Sequence, residues 1–237
     1  MSAVSSQLFL FDVDGTLVRL DGAGRRALAA AFQEVFEVED AARVLKGIRF
    51  DGNTDRAILT TAVQGMNLDA GDFSRRRAEF EGCYLGHLNG LVGALGPECV
   101  LPSVATLLET LQKEGAGLGL LTGNSEAGAR AKLEPFGLHR FFPAGAFGSE
   151  HHDRAVLARL AHHRAEQQGR RVFAPRNVFI VGDSVRDVRC GQAHGYSTVA
   201  VTTGWTSRPV LAAEKPDHLL DHLGELLPEL KRAEARS

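Results

Sequence analysis

The chain has 237 residues, 44% hydrophobic and 24% charged, enough for one large domain or two unequal ones around a buried core. A formal net charge of −2, with no long basic run, argues against nucleic acid as a partner, because a phosphate backbone demands a basic face. Three scattered cysteines (Cys83, Cys99 and Cys190) exclude a disulfide framework or a cysteine-rich zinc site and fit a reducing compartment. No basic-then-apolar leader precedes Gln7, and no apolar run is long enough to span a bilayer. A soluble cytoplasmic protein without membrane contact, monomeric or weakly homodimeric, is the expectation.

Leu8 to Phe11 is a continuous apolar run, short enough for a strand buried on both faces. Asp12 and Asp14 follow, two residues apart, and then Gly15 and Thr16. Carboxylates this close repel each other unless a cation or a shared proton sits between them. An Asp-rich turn is the plainer alternative.

Helical spacing begins at Ala23 and runs to Glu37 on Ala27, Leu28, Ala31, Phe32, Val35 and Phe36. A second helix follows Gly52-Asn53-Thr54-Asp55, with Asn53 or Thr54 as its N-cap and Ile58, Leu59, Ala62 and Val63 as its apolar face. A third runs from Gly71 to about Leu88. Residues 18–90 contain no convincing strand and read as a helical module inserted after the first strand. Gly90 to Gly96, then Pro97 and Pro102, read as the return linker.

Beyond it lie a helix at Val104 to Glu114 and a short strand, Leu118 to Leu121, ending in Thr122-Gly123-Asn124-Ser125. A helix from Glu126 to Leu133 precedes a weak edge strand within Phe141 to Phe147. Asp153 to Gln168 reads as a helix on Val156, Leu157, Leu160 and Ala161. The strand Asn177 to Val181 ends in Gly182-Asp183-Ser184-Val185-Arg186-Asp187, with a helix to about His194 after it. Ser197 to Val201, a polar loop around Trp205, a short strand at Asp217 to Leu220 and a C-terminal helix complete the chain. Alternating strands and helices predict an α/β fold, a three-layer Rossmann-like core with a parallel sheet.

In a parallel sheet the loops at Asp12 to Thr16, Thr122 to Ser125 and Gly182 to Asp187 emerge at one edge, where such folds bind ligands. Asp12, Asp14, Asp183 and Asp187 then supply oxygen donors and no soft ligand, which suits Mg²⁺. Thr122 offers a hydroxyl, while Gly123 and Asn124 sit at a helix N-terminus, a position that favours an anion. An acidic site with anion-binding groups points to a metal-bridged phosphate. A carboxylate can act as nucleophile there, with its neighbour exchanging the proton.

On these residues the chain resembles the haloacid dehalogenase superfamily, most closely its phosphoglycolate-phosphatase-like branch. The family's first motif, Asp-x-Asp-Gly-Thr, stands at Asp12 to Thr16. Its second matches Thr122, and its fourth, Gly-Asp-Ser/Thr-x-x-x-Asp, matches Gly182 to Asp187. The resemblance implies a core of residues 1–17 and 91–237, with residues 18–90 as a small inserted α-helical cap domain. It implies Asp12 as nucleophile and Asp14 as general acid/base. Mg²⁺ would be held by Asp12, the Asp14 carbonyl and Asp183, with Asp187 ligating it or orienting its water. Thr122 would hold the phosphoryl group. Thr16, Gly123 and Asn124, with Asn53 and Asp55 from the cap, complete the expected substrate contacts.

The family's third motif, a basic residue usually followed by Pro, has no Lys to fill it, because none occurs between Lys132 and Lys215. Arg154, opening a helix, is the expected replacement, bridging Asp12 and the phosphate. Lys132 is the rival, expected inside a helix and away from the sheet edge. His151, His152, His162 and His163 are expected outside the chemistry, since adjacent histidines diverge. Arg56 reads as a helix-surface charge and Trp205 as packing.

The expected activity is Mg²⁺-dependent hydrolysis of a small phosphorylated metabolite through an aspartyl-phosphate. Sugar phosphomutation is the alternative, and a non-catalytic phosphate-binding module is a third. Asp14 argues against a dehalogenase, whose first motif lacks that second acid.

Overall fold

A computed structural model describes residues 6–234. Six parallel strands, β1 (Leu8–Phe11), β2 (Gly117–Thr122), β3 (Ala144–Phe147), β4 (Val178–Gly182), β5 (Ser197–Val201) and β6 (His218–Leu220), form one sheet in the order β3-β2-β1-β4-β5-β6. Strand order reverses at β1, and a parallel sheet opens its ligand crevice at such a switch point. Phe11 lies level with Leu120 on one side and Val181 on the other. The chain therefore releases Asp12, Thr122 and Asp183 within two residues of a common level.

The apolar run of β1 follows from its central place. Phe9 and Phe11 face α6 (Val104–Lys113) and α11 (Leu226–Glu234), while Leu8 and Leu10 face α8 (Arg154–Gly169). All four side chains are buried. Phe9 stacks on Phe179 with centroids 4.9 Å apart, worth about 0.5–1.5 kcal/mol beyond simple burial. α8 buries Leu157, Ala158, Ala161 and Ala165, whereas Val156 is exposed. The expected stripe through Val156 and Leu160 is thus rotated, because the alanines let the helix lie close on the sheet. α7 (Glu126–Leu133), α9 (Val185–Gln192) and α10 (Arg208–Ala213) complete the layers.

Between β1 and α6 the described chain is helical, as expected: α1 (Ala23–Phe36), α2 (Ala41–Lys46), α3 (Asp55–Gly65), α4 (Ala70–Arg75) and α5 (Arg77–Gly93). Phe32, Phe73 and Phe80 form its apolar centre, with Phe32 and Phe80 centroids 4.6 Å apart. Three details differ from the sequence reading. α2 had no strong periodicity in its six residues. The helix expected from Gly71 to Leu88 is broken at Arg76. α5 also continues to Gly93, so Gly90 is helical and not linker; burial of Leu88 and Val92 carries the helix past glycines whose surroundings are open.

The two strands of chain joining this helical unit to the sheet run side by side. The Arg19 N–H donates to the Cys99 carbonyl at 2.8 Å, and the Leu101 N–H donates to the Leu17 carbonyl at 3.0 Å. Val18 and Val100 form an antiparallel bridge between them. Among the described residues, no helix is long and apolar enough to cross a membrane.

Candidate active site

The carboxylates of Asp12, Asp183 and Asp187 are buried, and one oxygen of each lies within 4.8 Å of the others. Burial pushes Asp12 up to about 6; the Arg154 charge opposes this, and Asp187 and Asp14 add to it. Burial, reinforced by Asp12 and Asp187, raises Asp183 well above the carboxylate range. Three buried acids with one guanidinium, which pairs with Asp12 and Asp187, form a site short of positive charge. Its donors are all oxygen, and the cluster fits a hard divalent cation.

Arg154 stands where the sequence reading put it. Its Nη2 lies 3.3 Å from Asp12 Oδ1 and 2.5 Å from Asp187 Oδ1, and donates to the Leu121 carbonyl at 3.0 Å. Burial opposes its charge, yet Asp187 and Asp12 hold its pKa above the usual value. Its Nε and Nη1 are buried without acceptors. Buried donors cost free energy unless paired, so they offer a place for anionic oxygens. Asp187 has both oxygens engaged, Oδ1 by Arg154 and Oδ2 by the Ser184 N–H (3.0 Å) and hydroxyl (2.6 Å). Both oxygens of Asp187 therefore already have protein donors.

Asp14 turns its side chain away from the cluster. Its Oδ2 accepts from Lys132 Nζ at 2.6 Å and Asn124 Nδ2 at 2.8 Å. Asn124 Nδ2 also donates to Thr122 Oγ1 at 2.8 Å, and Asn124 Oδ1 accepts from Lys132 at 2.6 Å. Lys132 is 5% exposed, which corrects its expected position away from the sheet edge. α7 buries Ala129, Ala131 and Leu133 in the core, and Lys132 on the same helix reaches the site.

The loop before α3 touches the core directly. The Asp55 N–H donates to the Gly123 carbonyl at 2.6 Å, and Asp55 Oδ2 accepts from the Ser125 N–H at 2.7 Å. Burial raises the Asp55 pKa, with Lys132 opposing. Asn53 Nδ2 donates to the Arg49 carbonyl at 2.7 Å, within its own loop. A Cβ on Gly123 would sit 1.9 Å from the Asn53 carbonyl oxygen, so only glycine permits this approach. Asn53 and Asp55 therefore line the cavity, but the Asn53 amide is engaged within the insertion and Asp55 joins insertion to core. Thr54 takes the capping role, accepting from the Ala57 N–H at 3.3 Å.

Thr16 needs a similar correction. It is fully buried, off the cavity wall, and donates to Asp183 Oδ1 at 3.5 Å. Trp205 is 61% exposed and lines the cavity, so it is not packing; its backbone N–H donates to Asp183 Oδ2 at 3.3 Å. Gly204 was missed: a Cβ there would lie 1.6 Å from Asp183 Oδ2. The loop after β5 leaves the same sheet edge as the other three, which was its legible sign. Gly123 and Asn124 line the cavity as expected. Arg56 is exposed and outside it, and His151 and His152 stack on each other at 4.5 Å, apart from the carboxylate cluster.

A parallel α/β sheet with buried carboxylates, a buried guanidinium and helix N-termini at its carboxyl edge defines a candidate anion-handling site whose carboxylates could hold a cation. A family model described as haloacid dehalogenase-like hydrolase matches residues 7–195, and the chain belongs to that family. Phosphoglycolate phosphatase of Synechococcus elongatus is 35% identical over 129 residues, 54% of this chain and 58% of that protein. That of Escherichia coli K12 is 28% identical over 55% of this chain and 51% of its own length. These two matches thus span only about half of each relative. The enzyme of the same name from Pasteurella multocida is 26% identical over 95% of this chain and 98% of its own. A predicted phosphoglycolate phosphatase from Haemophilus somnus 129PT shares the fold, with TM-score 0.72, 21% identity, and 97% and 100% coverage of the two chains. So does a β-phosphoglucomutase from Clostridium difficile, with TM-score 0.69, 15% identity, and 93% and 92% coverage.

Proposed function

We propose that this protein is a Mg²⁺-dependent phosphomonoesterase acting on a small phosphorylated metabolite, with the helical insertion between β1 and α6, α1 to α5, as its cap. One observation carries the reading: Asp12, next to the Asp183 carboxylate and Arg154, faces a cavity of about 400 Å³ while Asp14 is held apart by Lys132 and Asn124. The two acids thus have different surroundings and can take different tasks. Asp12 is the nucleophile at phosphorus, forming an aspartyl-phosphate. Asp14 gives a proton to the leaving oxygen and takes one from water in the second step.

Asp12, Asp183 and the Asp14 carbonyl would hold Mg²⁺, which offsets charge on the phosphoryl oxygens. Arg154, with Nε and Nη1 free, and the Thr122 hydroxyl bind those oxygens. Contacts of Asp51 and Asp55 with the core loops close the chamber and exclude bulk water. The relatives' name makes phosphoglycolate the first substrate to try.

The test is phosphate release from p-nitrophenyl phosphate, with and without Mg²⁺, for the native protein and Asp12→Asn. A panel of phosphorylated metabolites then includes phosphoglycolate, and hexose 1-phosphate with a bisphosphate primer. Mg²⁺-dependent release that Asp12→Asn abolishes supports the reading, and equal release by both proteins sinks it. Isomerised hexose phosphate without free phosphate would make the protein a mutase.

A further inference from the structure

The helical insertion holds a second cluster of ligand-type side chains, and none of its members lines the catalytic cavity. Cys83 and His87 lie four residues apart on α5, so they share one face of that helix. Glu34 of α1 meets them from the neighbouring helix. Its Oε2 lies 2.8 Å from His87 Nε2, and it also accepts from the Cys83 thiol. One ligand atom of each residue lies within 4.8 Å of the other two. The His87 side chain is 38% exposed and that of Glu34 63%, so ions reach the cluster from solvent.

The donor types differ from those of the buried carboxylates. A sulfur, an imidazole nitrogen and one carboxylate oxygen form a mixed set that suits Zn²⁺ and its close relatives, whereas Mg²⁺ prefers oxygen throughout. Such donors stand about 3.3–3.7 Å apart around a tetrahedral zinc, so small side-chain rotations would close the cluster on an ion. An ion pair between Glu34 and His87 needs no thiol, yet Cys83 is set on the same carboxylate. Glu79, four residues before Cys83, is held by Arg76 through Nε and Nη2 at 2.9 and 3.0 Å. Three protein donors therefore leave the fourth position to water or an outside ligand. Burial and the Glu34 contact push the Cys83 thiol up to about 11, so sulfur keeps its proton until a metal displaces it.

We infer that Glu34, Cys83 and His87 bind a zinc-class divalent metal ion that ties α1 to α5. The Cys83 proton passes to solvent as the metal–sulfur bond forms, and nothing is oxidised or reduced. The inference is independent of the phosphatase reading. The tie joins the two longest helices of the insertion. Tyr84, the residue after Cys83, is buried and lines the catalytic cavity, so the metal braces a helix that also forms part of the cavity wall.

Co²⁺ is the probe, because a cobalt–thiolate bond gives a near-ultraviolet charge-transfer band that oxygen ligands do not. Reduced, metal-free protein is titrated with Co²⁺ in excess Mg²⁺, which competes for all-oxygen sites. The band should saturate at one Co²⁺ per chain and fall as Zn²⁺ is added. Cys83→Ser should abolish it, and Cys99→Ser should keep it. Glu34→Gln and His87→Gln should each weaken Co²⁺ binding about tenfold or more, since even a partner of a ligand is worth that much. Circular dichroism checks that each variant is folded. A second measurement needs no variant: iodoacetamide should label Cys83 of the native protein at least tenfold more slowly with Zn²⁺ present. A native protein without the band, a band that survives Cys83→Ser, or labelling that Zn²⁺ does not slow overturns the inference. Native affinity in both Glu34→Gln and His87→Gln overturns it as well, because the metal would then sit on a lone thiolate.

Discussion

Lys132 Nζ lies 2.6 Å from both Asp14 Oδ2 and Asn124 Oδ1, so an ammonium from α7 fixes the side chain that follows β1 by two residues. With Arg154 as the expected third-motif cation and Lys132 only its rival, the sequence alone predicts the larger loss of activity for Arg154→Ala than for Lys132→Ala. The geometry predicts damage from both, by different routes. Lys132→Met should lower kcat about 100-fold, the low end of general acid–base contributions, because Asp14 loses its orientation. Steady-state kinetics check this; a change under threefold would mean that Lys132 does not position Asp14.

Arg154→Ala should also unfold the protein more easily. It leaves Asp12 and Asp187 buried beside each other without a cation, at a cost of about 3–5 kcal/mol. Arg154→Lys keeps the charge and should recover most of that loss in urea denaturation. Equal stabilities for the two variants would show that the guanidinium charge is not what holds the cluster together.

Gly204→Ala should weaken Mg²⁺ binding tenfold or more. The added methyl would overlap Asp183 Oδ2 and push that carboxylate aside. Calorimetric titration with Mg²⁺ measures the effect, and circular dichroism checks that the fold persists. Native-like affinity would exclude Asp183 as a ligand in its present orientation.

Mg²⁺ should stabilise the protein more at pH 7.5 than at pH 5. Asp12 in the folded protein titrates at about 6, above its ordinary value, and Asp183 is raised as well. The metal-free folded state therefore holds protons that the unfolded chain has released, and stability falls as pH rises through this window. A cation offsets the carboxylate charge that appears there. Differential scanning fluorimetry with and without Mg²⁺ should show a Tm gain that grows with pH. A gain that is flat or shrinks with pH would contradict the assignment of these acids to the cation.

Asp55→Ala should loosen the contact between insertion and core. It removes the bond to the Ser125 N–H and leaves the backbone bond to Gly123 in place. KM should rise severalfold with little loss of thermal stability. An unchanged KM would make the contact irrelevant to closure.

Much of the core was legible because its signals are local. The apolar run of β1, the Asp-x-Asp-Gly-Thr turn and the three polar loops each occupy adjacent residues. Parallel pairing brings them together without further information. Arg154 was legible as the basic residue opening a helix after β3. Lys132 was named as the rival cation but placed away from the sheet edge, because the tilt of α7 that carries it to Asp14 is not written in local spacing. Thr16 and Trp205 were misplaced because backbone direction at a turn decides which side chain is buried. Gly204 acquires meaning only through a neighbour distant in sequence, Asp183. The break at Arg76 lies in a stretch of near-uniform helical spacing, where no proline or glycine marks it.

The central claim is that Asp12 carries the phosphoryl group. Native protein mixed with a phosphate ester and Mg²⁺, quenched in acid and digested, should yield a peptide spanning Asp12 heavier by one phosphoryl group. Asp12→Asn should yield none. Phosphate release without that adduct at saturating substrate, together with undiminished release by Asp12→Asn, would contradict the account.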